Sequence, residues 1–216
     1  AEIIFTSGGT EADNLILNSC VRDLQVARII TSKIEHHAVL HTIKELNLNY
    51  DLKVDYVNLD ANGMVDYHHL KKLLNDTSRK TLVSLMHINN EIGNRIDIKQ
   101  VADLCKENNA LFHSDTVQSV GHYNLNFSEI PIDFAAVAAH KFHGPKGIGF
   151  AFIRKNSGLK PLIVGGQQER GLRAGTESVY AIAGLNKALQ ISYNNMEEEA
   201  KYIKSIKKYF KDRLLQ

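Results

Sequence analysis

Short apolar runs rich in β-branched residues alternate along this chain with segments whose apolar residues recur at helical spacing. Seven runs predict strands: IIFT (3–6), ARIIT (27–31), LKVDYV (52–57), TLVSLM (81–86), ALFHSD (110–115), DFAAVAA (133–139) and GIGFAFI (147–153). Helical spacing appears between most of them, as at Ile98, Val101, Ala102 and Cys105. The alternation predicts an α/β fold in which a mostly parallel, seven-stranded sheet lies between two helical layers.

The two ends of the chain differ in character. From about Leu185 onward the sequence becomes helical and more charged, so we expect a sheet domain over residues 1–190 and a helix over 191–216. Ala1 leads directly into a strand pattern, and the last residues lie within an amphipathic pattern. We therefore expect a piece of a longer protein.

Composition and charge narrow the class of partner. The 216 residues carry a formal net charge of +2, which gives no reason to expect binding to nucleic acid or to a membrane. Cys20 and Cys105 are far apart and lie on the apolar faces of predicted helices, which indicates buried thiols in a reducing compartment. With no membrane-length apolar run and no leader pattern, the sequence predicts a cytoplasmic protein.

Polar side chains are concentrated where the predicted strands end. The clusters are SGGTEADN (7–14), EHHAVL (35–40), HINNEIG (87–93), HSDTVQSVG (113–121) and AAHKFHGPKG (138–147). Ligands of parallel sheets bind at the carboxyl ends of the strands, so these clusters are expected to share one edge.

The first and fourth clusters offer groups for an anion and for a ring nitrogen. Gly9 and Thr10 open a helix and could bind a phosphate, although a glycine turn with a threonine cap explains them equally well. Asp115 could cap a helix or hold a proton on a heterocyclic nitrogen. Asn90 and Gln118 supply amide groups that could orient a phenolate oxygen.

The histidines and lysines of these clusters each have more than one possible role. His36 and His37 could form a stacking surface, whereas adjacent positions on a helix diverge too far to share one metal, and no metal site is predicted. Lys141 is either a solvated charge or an imine former for an aldehyde cofactor. Lys146 lies in a glycine-rich turn and is less well placed. The groups taken together match one small molecule, pyridoxal 5′-phosphate.

With these residues in view, the sequence resembles the pyridoxal-phosphate-dependent cysteine desulfurases of the iron–sulfur-cluster type, within the class-V aminotransferase superfamily. The matching stretches are FTSGGTEADN, EHHAVL, NNEIG, FHSDTVQSVG, HKFHGPKGIG and GGQQERGLRAGTE, which span residues 5 to about 177. The resemblance implies the large domain of the aspartate-aminotransferase-like fold, with the helix over 191–216 leading toward a C-terminal small domain that this chain lacks.

The resemblance also implies a role for each matching residue. Lys141 would be the Schiff-base lysine, with His140 a neighbouring cofactor contact. His36 would stack on the pyridine ring and assist proton transfer. The other implied cofactor contacts are Asp115 at the ring nitrogen, Gln118 and Asn90 on the ring-oxygen side, Gly9 and Thr10 at the phosphate, and Thr176 at the partner subunit's phosphate in a homodimer.

Two departures from the family pattern change the expectation. Ala138 stands where many members have a serine that contacts the phosphate. The family's persulfide-forming cysteine and the arginine for the substrate carboxylate lie downstream of GLRAGTE, beyond this chain, and neither Cys20 nor Cys105 matches that cysteine's context. We expect this chain to bind cofactor without desulfurating.

The resemblance leaves several functions open for the longer protein. The expected one is conversion of L-cysteine to alanine, with sulfur passing to an iron–sulfur scaffold, to tRNA thiolation or to another acceptor protein. A selenocysteine lyase, another class-V transferase or a non-catalytic cofactor-binding domain would reuse the same cofactor residues.

Overall fold

The computed structural model describes residues 2–215, and its centre is a single sheet of seven strands. The strands are β1 (Ile3–Thr6), β2 (Arg28–Thr31), β3 (Lys53–Tyr56), β4 (Thr81–Ser84), β5 (Leu111–Asp115), β6 (Phe134–Ala138) and β7 (Gly149–Ile153). Their order across the sheet is β1-β7-β6-β5-β4-β2-β3. Strand β7 is antiparallel to β1 and β6, and every other pair is parallel, which confirms the predicted mostly parallel sheet.

Helices connect the strands and cover both faces of the sheet. They are α1 (Gly9–Arg22), α2 (His37–Asn49), α3 (Tyr67–Leu74), α4 (Ile98–Glu107) and α5 (Val179–Leu214), with short 3-10 helices at Ala139–Phe142 and Gln168–Gly171. The side chain of Asp97 accepts a hydrogen bond from the Gln100 N–H and thereby caps the start of α4.

Two apolar clusters divide the core between the two faces. On one face α1 and α2 pack on strand residues such as Ile29 and Leu82. On the other, α3 and α4 pack on residues such as Val83 and Phe112. Cys20 belongs to the first cluster and Cys105 to the second; both are unpaired, and burial raises the pKa of each thiol. The predicted three-layer arrangement and buried thiols are thus confirmed.

Helix α5 runs without interruption through position 190, where the sequence pattern places a domain boundary. Near its start Leu185 packs with Phe142, which anchors the 3-10 helix after β6. The buried residues of α5 are Leu185 and Ser192, and most of the helix beyond them is exposed. None of the helices in the described range 2–215 combines the length and the apolar character needed to cross a bilayer.

Candidate active site

One cavity lies at the edge where the parallel strands end. Its volume is about 280 Å³, close to the lower end of the range of roughly 300–1,000 Å³ typical of small-molecule sites. It is lined by Gly9, Thr10, Asp13, His36, Met86, Asn90, Asp115, Val117, Gln118, Ala138, His140 and Lys141. The structure therefore brings together every predicted site residue except Thr176.

The anion-binding end of the cavity is the start of α1. Gly8 precedes the helix and supplies no side-chain cap, so the first N–H groups of α1 have no partner within the helix. A Cβ atom on Gly9 would stand 2.7 Å from Cγ2 of Val117, so only glycine fits where the backbone meets the loop after β5. Free N–H groups and the positive end of the helix dipole together favour a phosphate at this position.

Asp115 lies at the end of β5, where it is 5% exposed. Its Oδ1 accepts a hydrogen bond from the Val117 N–H at 2.9 Å, which leaves Oδ2 for the cavity. Burial and the neighbouring Asp13 carboxyl raise the pKa of Asp115 to about 7, against the opposing effects of the Val117 N–H and of His113 and His36. A positively charged group in the cavity would stabilise the ionised carboxylate.

His36 precedes α2, and its ring orientation is fixed by the helix. Its Nδ1 accepts a hydrogen bond from the Ala38 N–H at 3.1 Å, and the side chain lines the cavity. Behind it, Asn89 donates from Nδ2 to the Ile34 carbonyl at 2.6 Å, and this bond ties the loop of Asn90 to the loop of His36. The two loops therefore present their side chains to the same space.

The two lysines of the segment AAHKFHGPKG, Lys141 and Lys146, have different surroundings. Lys141 lies in the 3-10 helix that follows β6 and lines the cavity beside His140. Its carbonyl oxygen lies 2.8 Å from Nε2 of His122, and its ammonium forms no ion pair within residues 2–215. Lys146 is exposed and lies outside the cavity lining.

Thr176 lines a second cavity of about 210 Å³ that also contacts Ser7 and Arg173. Arg173 binds Glu11 through Nε at 2.8 Å and Nη2 at 3.2 Å, and Glu11 also accepts a hydrogen bond from the Ser7 N–H. These contacts attach the segment of Thr176 to the first turn of α1, outside the cavity that holds the other predicted residues.

Sequence reasoning missed three residues of the cavity lining (Asp13, Met86 and Val117) and the buried groups behind it. Asp13 could have been found, because it is a charged residue on the buried face of α1, between Ala12 and Ile16. Glu35 lies within EHHAVL, and the sequence pattern predicts no role for it. In the structure, it accepts hydrogen bonds from the Ser32 hydroxyl at 2.6 Å and the Met86 N–H at 2.7 Å. Glu35 thereby fixes the loop that carries His36.

Replacing Glu35 by glutamine tests this buried carboxyl. Burial raises the pKa of Glu35 from 4.5 to about 8, so the folded protein keeps a proton that the unfolded chain releases. The wild-type free energy of unfolding should therefore fall, relative to that of Glu35→Gln, as the pH rises from about 4.5 to about 8. Each pKa unit corresponds to about 1.4 kcal/mol.

Urea denaturation of the apoprotein from pH 4 to 9 measures this difference. A glutamine can donate to Ser32 and accept from Met86, so we expect the variant to fold. Glu107→Gln, at an exposed position, is the matched control and should track wild type throughout. Parallel pH curves for wild type and Glu35→Gln would show that Glu35 is ionised in the folded protein.

Within residues 2–215, no group of three or more His, Cys, Asp or Glu side chains is arranged to hold a metal ion. His37 stacks on His41 with ring centroids 4.8 Å apart, whereas the tilted rings of His36 and His37 lie 6.2 Å apart. His36 lines the cavity, and His37 does not.

Comparison with solved structures identifies the fold. A NifS-like protein superimposes with a TM-score of 0.94 at 40% sequence identity, covering 99% of this chain and 59% of that one. A structure of SspA in complex with cysteine gives a TM-score of 0.81 at 34% identity, covering 88% of this chain and 55% of that one. The predicted large-domain fold is confirmed.

The curated relatives that this chain matches are named as cysteine desulfurases. A cysteine desulfurase IscS of Dictyoglomus turgidum is 42% identical over 97% of this chain and 53% of the relative. A putative cysteine desulfurase IscS 1 of Bacillus subtilis is 43% identical over 99% of this chain and 56% of the relative. The chain spans about half the length of the curated relatives it matches.

The family comparison covers the whole chain. The family described as aminotransferase class-V matches residues 1–216, the same range that holds the strand-exit cavity and the segment of Thr176. The chain therefore belongs to the class-V aminotransferase family, whose members depend on pyridoxal phosphate.

Proposed function

We propose that the strand-exit cavity binds pyridoxal 5′-phosphate and that the intact protein is a cysteine desulfurase. One observation carries the proposal: a free helix N-terminus, a buried carboxylate, an oriented imidazole and an unpaired lysine share one small cavity. Relatives named as cysteine desulfurases and a homologous structure containing cysteine support the choice of substrate.

The residues present fit the cofactor. Gly9 lets the start of α1 pack closely against Val117, and the first N–H groups of that helix, which lack partners within it, suit a phosphate. The oxygen of Asp115 that faces the cavity suits a protonated ring nitrogen, because the buried carboxylate otherwise lacks a positive partner. Lys141 Nζ would hold the aldehyde, with Thr10, Asn90, Gln118 and His140 as the remaining cofactor contacts.

When bound, the cofactor supplies an aldehyde for the substrate's amino group and a ring that withdraws electrons. The chain's own residues then have defined tasks. Lys141 Nζ would take and return protons at the substrate, because it is the unpaired amine of the cavity. His36 would cover one ring face and assist that transfer, since its Nδ1 is engaged by α2 and its position is therefore fixed. Asp115 would keep the ring nitrogen protonated.

Sulfur transfer needs a nucleophile that this chain does not offer at the cavity. Cys20 and Cys105 are buried on opposite faces of the sheet, and burial raises the pKa of both thiols. In the intact protein, we propose that a cysteine from the remaining half attacks the substrate sulfur. Its thiolate would form the S–S bond as the substrate's C–S bond breaks; the substrate's β-carbon would keep the bonding electron pair and take up a proton, which gives alanine and an enzyme persulfide.

The proposed function also leads us to propose an oligomeric state and a cellular compartment for the protein. We propose a homodimer in which Thr176 reaches the partner's cofactor phosphate, since Thr176 lies outside its own chain's cavity. The persulfide would serve an iron–sulfur scaffold or another acceptor protein. Buried, unpaired thiols suit a reducing compartment, so we place the protein in the cytoplasm.

Titration of the purified chain with pyridoxal phosphate, followed by absorbance, tests the cofactor assignment. Pyridoxal without its phosphate should bind roughly 100-fold more weakly, because it loses charge-assisted hydrogen bonds at the start of α1. Equal affinity for the two compounds would contradict the phosphate cradle. For the intact protein assayed with an excess of a reducing thiol, which releases the persulfide sulfur as sulfide, equimolar alanine and sulfide from L-cysteine would support the desulfurase assignment, and no turnover by cofactor-loaded protein would overturn it.

Replacing Ala138 by serine should tighten cofactor binding. Ala138 ends β6 on the cavity wall and is 1% exposed, so a serine hydroxyl there would face the phosphate end near Gly9. One added hydrogen bond is worth about 1 kcal/mol, or roughly a fivefold lower Kd for pyridoxal phosphate. Pyridoxal, titrated as the control, should show no gain. An equal gain in affinity for both ligands would show that the serine hydroxyl does not contact the phosphate.

A further inference from the structure

Beneath the cavity floor, three side chains form a buried polar chain that the proposed function does not use. Asp13 on α1 approaches His113 on β5, with 3.3 Å between Asp13 Oδ1 and His113 Nε2. His113 Nδ1 in turn lies 2.9 Å from the Ser84 hydroxyl on β4. Asp13 is 1% exposed, and His113 and Ser84 are fully buried. The chain therefore links three elements below the ligand space.

The two oxygens of Asp13 have different environments. Oδ1 is enclosed and lies 3.3 Å from His113 Nε2, and neither of these two atoms makes a hydrogen bond to any other group in the described part of the chain or, as the coordinates stand, to the other. Asp13 also lines the cavity, so its second oxygen, Oδ2, is the one available to a ligand there. One carboxyl group thus joins the buried chain to the cavity.

Burial favours the uncharged form of both partners. It raises the pKa of Asp13 well above its usual value and lowers the pKa of His113 to about 4. The titratable groups around the pair are Asp115 on β5, Glu35 before α2 and His36 at the start of α2. A second ionised carboxyl among these acids would be costly, because Asp115 already offers its charge to the cavity.

If Asp13 and His113 are both uncharged, one arrangement of the protons fits these distances. A protonated Asp13 donates from Oδ1 to His113 Nε2, and the His113 Nδ1–H donates to the Ser84 hydroxyl oxygen. Asp13 Oδ1 and His113 Nε2, the two buried atoms that otherwise lack a partner, then pair with each other. Asp13 Oδ2 remains a carbonyl oxygen that can only accept.

We propose that Asp13, held by His113 and Ser84, presents an uncharged acceptor oxygen to the cavity beside the charged carboxylate of Asp115. A single negative charge then meets the cationic ring nitrogen, and Asp13 acts as a positioning residue for the planar ligand. This role rests on the proposed function, whereas the buried proton chain itself can be observed without cofactor.

Two substitutions separate this role from simple packing. Asp13→Asn keeps an N–H donor for His113 and a carbonyl oxygen for the cavity, so it mimics the protonated acid. Asp13→Ala removes both. In the apoprotein, ¹⁵N NMR of the imidazoles should show His113 neutral, with its proton on Nδ1, from pH 5 to 8. The spectrum should be preserved in Asp13→Asn and altered in Asp13→Ala.

Cofactor titration supplies the second readout. We expect Asp13→Asn to bind pyridoxal phosphate within about threefold of wild type, with the same pH midpoint of its visible absorbance, and Asp13→Ala to bind about tenfold more weakly. A wild-type His113 imidazolium at pH 7, or an Nε2–H tautomer, would overturn the proposal. So would equal losses of affinity in the two variants. Failure of wild type to bind the cofactor would instead overturn the proposed function, and the positioning role would fall with it.

Discussion

Replacing Lys141 by alanine is expected to abolish the covalent attachment of pyridoxal phosphate to the chain. Lys141 is the lysine of the cavity lining, and its ammonium has no carboxylate partner in residues 2–215, so its amine is available to the aldehyde. The visible absorbance band of the bound cofactor should disappear. In the intact protein, sulfide release should fall by about 10³-fold or more, because the same amine moves the protons.

The chain supplies a matched control in Lys146, five positions later. Lys146 is exposed and outside the cavity, so Lys146→Ala should keep the absorbance band and the activity. Both substitutions remove one positive charge, and a difference between them therefore reports the covalent bond. If Lys146→Ala lost the band and Lys141→Ala retained it, the assignment of the two lysines would be reversed.

Replacing Asp115 by asparagine should have opposite effects on activity and on stability. Asparagine Oδ1 can still accept the Val117 N–H, but its amide nitrogen would face the cavity as a donor. A protonated ring nitrogen would lose its acceptor and its counter-charge. We expect sulfide release by the intact protein to fall by roughly 10²- to 10³-fold, the range for loss of one preorganised electrostatic contact.

The apoprotein should respond in the other direction. The pKa of Asp115 is raised from 3.8 to about 7, so ionisation of the folded protein above pH 7 costs free energy that asparagine does not require. The free energy of unfolding of Asp115→Asn should therefore exceed that of wild type at pH 8, and the difference should shrink toward pH 4. Glu107→Gln again serves as the surface control. Loss of stability at pH 8 would show that Asp115 is mainly a structural residue.

Much of the fold follows from local pattern. Each apolar run predicted as a strand contains one of β1 to β7. The signal is clearest at the fully buried strands β4 and β6, which carry nearly continuous apolar sequence, whereas the edge strand β3 is partly exposed and contains Lys53 and Asp55. Polar side chains just after the carboxyl end of a parallel strand lie at the edge of the sheet where ligands bind. That rule alone distinguishes Lys141 from Lys146, and the cavity lining agrees with it.

Other parts depend on contacts between distant segments, which no local pattern contains. The Asp13–His113–Ser84 chain joins α1, β5 and β4, and His113 stands inside an apolar strand where a histidine looks like core. The attachment of Glu35 to the Met86 N–H joins residues 51 positions apart. The placement of Thr176 in a second cavity likewise follows from the Arg173–Glu11 pair, which connects segments far apart in the sequence.

Peptide mapping after borohydride reduction identifies the lysine that forms the imine with the cofactor. The chain is loaded with pyridoxal phosphate, reduced with borohydride, digested and analysed by mass spectrometry. We expect the pyridoxyl group on Lys141, within the segment AAHKFHGPKG, and none on Lys146. Modification of another lysine under the same conditions, or no modification of cofactor-loaded protein, would contradict this assignment.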